Sequence, residues 1–105
     1  MGEIHEIGAS QPEDRKLYEK DYKQSATLFQ HALDAHAKTT NPYKQHEFKA
    51  VMDQAMHVMN QAARSLKDKG LQAQNEQIQK DYSAYQKGAK PTALNRDLEQ
   101  AKRSV

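Results

Sequence analysis

The stretch AVMDQAMHVMNQAARSL, residues 50–66, decides the fold and holds three of the chain's four methionines. Phe48, Met52, Ala55, Met59, Ala62 and Leu66 recur at spacings of 4, 3, 4, 3 and 4. That is the seam of a helix packed against other helices. Val51 and Val58 on one edge and Met56 on the other widen the apolar arc to about 160°. Asp53, Gln54, His57, Asn60, Gln61 and Arg64 take the opposite face. An arc this wide must touch more than one neighbour, so the chain reads as all-α.

The ends of this helix are readable in both directions. Upstream, Asn41 is a side-chain cap, and Pro42 sits at the first position, where no backbone donor is lost. Downstream, Gly70 in SLKDKGL fits a left-handed stop, with Leu71 folding back onto Leu66. The helix is therefore expected over about 42–69. Before it, SQPE at 10–13 has the capping-box spacing and opens a helix over about 10–38. Its stripe is Tyr18, Tyr22, Ser25, Ala26, Phe29, Ala32 and Leu33, flanked by Leu17 and Leu28. A third helix, about 71–87, carries Leu71, Ile78, Tyr82 and Tyr85 on one face, interrupted by Asn75. Gly88 and Pro91 separate it from a fourth, about 92–104, marked by Leu94, Leu98, Ala101 and Val105.

No segment alternates with period 2, and helix formers dominate. The expectation is a small helical bundle built on a long antiparallel hairpin (10–38 and 42–69) with two shorter C-terminal helices. Residues 1–9 read as a flexible N-terminal segment and 10–105 as a single domain.

The composition makes the core thin. Leu, Ile, Val and Phe together fill only 15 of 105 positions, against twelve glutamines and 29 % charged residues. Low hydrophobicity favours disorder, but the net charge of +2 gives little self-repulsion. A periodic, thin core points to stability aided by self-association or a partner. Residues 64–105 carry nine Lys/Arg against five Asp/Glu, while 1–63 carry seven against nine. No stretch approaches the roughly 20 apolar residues of a membrane span. MGEIHEIGAS has neither part of a secretory signal, so a cytoplasmic location is the default, with export without a cleaved signal left open.

Catalytic and metal chemistry find no pattern to stand on. Cysteine is absent, and no two histidines have the i, i+3 or i, i+4 spacing of a helical metal pair. No GxSxG elbow and no glycine-rich phosphate loop occurs. Carboxylates are scattered, often beside lysine, as Glu19 is with Lys23. His36, in the stripe of the first helix, reads as a core or capping group. AHAK at 35–38 departs from the histidine phosphotransfer pattern, because Lys38 follows after two residues and Thr39 comes next. No cofactor, metal site, small-molecule substrate or enzyme activity is expected.

What remains is contact with other macromolecules. The two long helices joined by an Asn-Pro turn resemble secretion-needle subunits in architecture. The size is similar to WxG-type secreted proteins, but the chain has no WxG and no Trp, and no family is assigned. The primary expectation is a protein–protein interaction module (adaptor, chaperone-like or assembly subunit) or a homo-oligomer. Its surface would be an apolar face of Phe48, Met52, Met56 and Met59 with Tyr22 and Phe29 opposite. The alternative is a weakly basic nucleic-acid binder using Lys80, Lys87, Lys90, Arg96 and Arg103.

Overall fold

The structure is a computed structural model, and it describes residues 12–105. The flexible segment expected at 1–9 and the Ser10 cap lie outside those residues. Four helices follow one another: α1 (Pro12–Lys38), α2 (Pro42–Ser65), α3 (Lys69–Gln86) and α4 (Thr92–Arg103). Each packs mainly on its neighbours in a ring, α1 on α2 and α4, and α3 on α2 and α4. The cross-section is only 25 × 18 Å, two helices by two.

The α1–α2 hairpin turns as its residues dictate. The Asn41 side chain accepts hydrogen bonds from the Tyr43 and Lys44 amides at 2.9 and 3.3 Å, and Pro42 occupies the first turn. The amide of Asn41 in turn donates to the Thr39 hydroxyl, and the Gln45 side chain donates to the Thr39 carbonyl. Three loop residues suffice because local side chains satisfy most of the backbone groups freed there.

Helix α2 stops four residues earlier than expected, and Gly70 is not its left-handed residue. That position is Lys67, at φ 54. The Asp68 amide donates back to Ala63 and the Lys67 amide to Arg64, the two bonds of a Schellman motif. Arg15 of α1 donates to the Leu66 carbonyl at 3.1 Å and satisfies another free acceptor. Asp68 is the reason for the shift. Its side chain accepts from the Leu71 amide at 3.0 Å and starts α3 at once. Gly70 serves that cap, since a Cβ there would meet Asp68 Oδ1 at 3.2 Å. Ending α2 at Ser65 lets both Leu66 and Leu71 enter the core.

The next turn repeats the motif with the residue it favours. Ala89 donates to Ala84 and Gly88 to Tyr85, with Gly88 at φ 112. Lysine at the equivalent position in the first turn carries a left-handed backbone at a steric cost. Lys67→Gly is therefore expected to stabilise the fold by about 0.5–1 kcal/mol, the relieved strain of about 1–2 kcal/mol less the extra entropy of an unfolded glycine. Urea unfolding should show the gain as a higher midpoint at unchanged slope.

The core runs the length of the bundle. Tyr22, Phe29 and Leu33 of α1 are buried, as are Met52, Met56 and Met59 of α2. From the other layer, α3 adds Leu71, Ile78 and Tyr82, and α4 adds Leu94, Leu98 and Ala101. Ala26, Ala55, Ala62 and Ala63 let the helices approach closely, and the flexible methionines fill the gaps between them.

Candidate interaction surface

The face expected to receive a partner is inside this bundle. Tyr22, Phe29 and Met59 are 0 % exposed, Met52 1 % and Met56 4 %; Phe48 is half-buried. The burial has a physical cause. Helices α3 and α4 bring six large or well-buried apolar side chains onto the hairpin, enough to close the wide arc that α2 presents. In this state Tyr22, Phe29, Met52, Met56 and Met59 present almost no surface to a second chain, and Phe48 keeps part of its surface exposed.

Polar groups tie the layers together within that core. Asn75, which interrupts the α3 stripe, is 3 % exposed and fully used. It accepts from the Tyr22 hydroxyl at 2.6 Å and donates to the Met59 carbonyl at 3.1 Å. One side chain thereby sets α3 against both α1 and α2. Tyr82 packs edge-on against Phe29 with centroids 5.1 Å apart, and its hydroxyl donates to Asp53 at 2.6 Å. His36 Nδ1 shares a 2.6 Å hydrogen bond with the Tyr85 hydroxyl, which joins the end of α1 to the end of α3.

The titration shifts fit structural ties. Burial, and secondarily the Asp68 charge, pushes the Tyr22 phenol far above its usual range. Burial and the bond to Asp53 do the same to Tyr82, and burial alone raises Tyr85. Burial by itself would raise Asp53. The hydrogen bonds from Tyr82 and Lys49, with the Lys49 charge, outweigh it and hold the carboxyl below the ordinary range. On the surface, hydrogen bonding from Gln30 and the charge of Lys102 lower Glu99. At neutral pH the phenols are thus uncharged, with Tyr22 and Tyr82 donating, and the carboxylates are fixed acceptors.

Outside the core, surface ion pairs join Asp34 to Lys38, Asp53 to Lys49 and Glu99 to Lys102. Glu19 and Lys23 do not pair. Among the described residues no group of three or more His, Asp or Glu side chains is placed to hold a metal ion. No helix among them is long and apolar enough to cross a membrane.

Two surfaces are left open. On α1, Leu17 is 58 % and Leu28 49 % exposed. Eleven residues apart, they lie about 20° from each other around the helix, three turns apart. Asp21 lies on the same line and borders an open groove with Val58, Gln61 and Ser65 of α2. Val51 and Val58, two turns apart and half-buried, are the apolar residues on the α2 side. These leucines sit roughly 110–130° from the centre of the buried α1 stripe. The helical wheel carried that signal, but as the rim of the stripe it read as flanking core. The second surface belongs to α3 and α4, where Lys80, Lys87, Lys90, Arg96 and Arg103 are all exposed.

No protein-family model matches the chain, and no curated protein or solved structure matches it.

Proposed function

We propose that the chain is a non-enzymatic helical protein–protein interaction module. It acts as an adaptor, chaperone-like or assembly subunit by receiving an amphipathic partner helix in the outer groove of the α1–α2 hairpin. The observation that carries this reading is the pair Leu17 and Leu28, about half exposed on one line of α1 with no element of the described chain over them. Their three-turn separation suits the i and i+11 anchors of a helix laid along α1. Single exposed leucines are ordinary; a pair aligned on one helix face is a strip.

The test is Leu17→Glu combined with Leu28→Glu. Both sites are open enough to solvate a carboxylate, so helicity and the unfolding midpoint should change little. Native mass by light scattering should fall to that of the 12.0 kDa monomer, and recovery of a helical partner by the immobilised chain should fall by about tenfold or more. Association that survives the double substitution would refute the groove.

A further inference from the structure

The outward side of the α3–α4 layer is cationic in a way the net charge of +2 conceals. On α3, Lys69, Lys80 and Lys87 lie about 150–170° around the helix from the centre of the buried Leu71, Asn75, Ile78 and Tyr82 stripe. On α4, Arg96 and Arg103 stand in the same relation to Leu94, Leu98 and Ala101. Lys90 lies in the turn between the helices. All six are exposed, and none joins an ion pair among the described residues. Of the nearby acids, Glu99 lies within reach of the Arg103 charge, and none forms an ion pair with the six among the described residues. Glu99 is held by Gln30 and Lys102, and Asp81 and Asp97 are half-buried on the helix flanks, leaving Glu76 as the exposed acid of α3.

The cations form two rows. Helices α3 and α4 pack side by side, with axes about 8–10 Å apart by the ordinary spacing of packed helices. Lys80 to Lys87 and Arg96 to Arg103 each span seven residues, about 10.5 Å along the axis.

What this layer lacks selects among anionic partners. The large exposed apolar residues, Leu17, Leu28 and Tyr43, all belong to α1 or α2. A bilayer would therefore find no insertion anchor here. Unpaired bases would find no aromatic platform, because Tyr82 is buried and Tyr85 is tied to His36. Contacts to phosphates remain. The geometry points to the outer α3–α4 face as a sequence-independent docking surface for the phosphate backbone of duplex nucleic acid. It lies on the other layer from the α1–α2 groove and does not depend on it.

Fluorescence anisotropy with a mixed-sequence DNA duplex of about two helical turns tests this, using the full chain in low salt. If about four phosphates are engaged, the log–log salt slope should be about −3.6, and tripling the salt should weaken binding roughly 50-fold. Lys80→Glu with Arg96→Glu should cost about tenfold or more. The control, Lys16→Glu with Lys20→Glu on exposed sites of α1, makes the same change in net charge and should stay within about threefold. Both pairs should keep wild-type helicity. Equal losses from the two pairs would reduce the effect to overall charge and overturn the assignment to this face. Absence of duplex binding in low salt overturns it outright. So does capture of phosphatidylserine vesicles, in preference to duplex, through Lys80 and Arg96.

Discussion

Met59→Glu should abolish cooperative folding at neutral pH. Met59 is 0 % exposed and sits at the middle of the α2 seam, between the layers. A carboxylate there has no cation within the core to pair with, so it must either stay ionised in an apolar site or bind a proton. Either route costs several kcal/mol, on top of the lost thioether packing. The total stability of a domain this size is about 5–15 kcal/mol, and this thin core belongs near the lower figure. The pH dependence supplies the check. Burial raises the folded-state pKa of the new carboxyl above the unfolded value of about 4.3, so the ionisation part of the penalty is absent below that pH and grows as pH rises, while the cost of burying the neutral acid remains. Helicity by circular dichroism should be lost at pH 7 and partly recovered on acidification toward pH 4. Full helicity with a wild-type midpoint at pH 7 would place Met59 at the surface. The same substitution at Met56, 4 % exposed, should behave alike. Lost binding in either variant would then report unfolding, which is why the interaction test uses Leu17 and Leu28.

Phe29→Ala should cost about 3–5 kcal/mol, near the upper end of that range. Phe29 is 0 % exposed and meets the edge of the Tyr82 ring at 76°. Such edge contacts contribute about 0.5–1.5 kcal/mol beyond burial. Whether the cavity can collapse decides the rest, and Tyr82 is poorly placed to move into it. Its hydroxyl is held by Asp53 at 2.6 Å, and Asp53 is held in turn by Lys49. The void therefore persists. Urea unfolding should show the loss as a lower midpoint. Adding Tyr82→Phe, which frees the ring from Asp53, should then cost less than it does with Phe29 intact.

The helices were legible because their signals are local. The 4-3-4-3-4 spacing around Met52 and Met59, the Asn41-Pro42 start and the Gly88 stop all act within a few residues. Each appears in the structure where the pattern places it. The end of α2 was misread because two local signals competed. Gly70 suggested a stop, but Asp68 offered a cap two residues before it, and the cap prevailed at the expense of a left-handed lysine. Asn75 shows a different limit. As a break in the α3 stripe it was visible, but its partners, Tyr22 and the Met59 carbonyl, lie 53 and 16 residues away.

The candidate surface was the least legible part, for a related reason. A helical pattern shows which face is apolar and says nothing of what covers it. Phe48, Met52, Met56 and Met59 have the same spacing whether they meet a partner or the chain's own α3 and α4. Here the chain's own helices cover them, because α3 and α4 carry enough apolar side chains to fill the wide arc of α2. Leu17 and Leu28 stay outside because they lie roughly 110–130° around α1 from the centre of its buried stripe. By itself the amino-acid sequence determined the helical class, the number of helices and most of their ends, since those follow from backbone propensity and capping. The tertiary structure decided which apolar side chains are core and which are surface, since that depends on the area other helices supply.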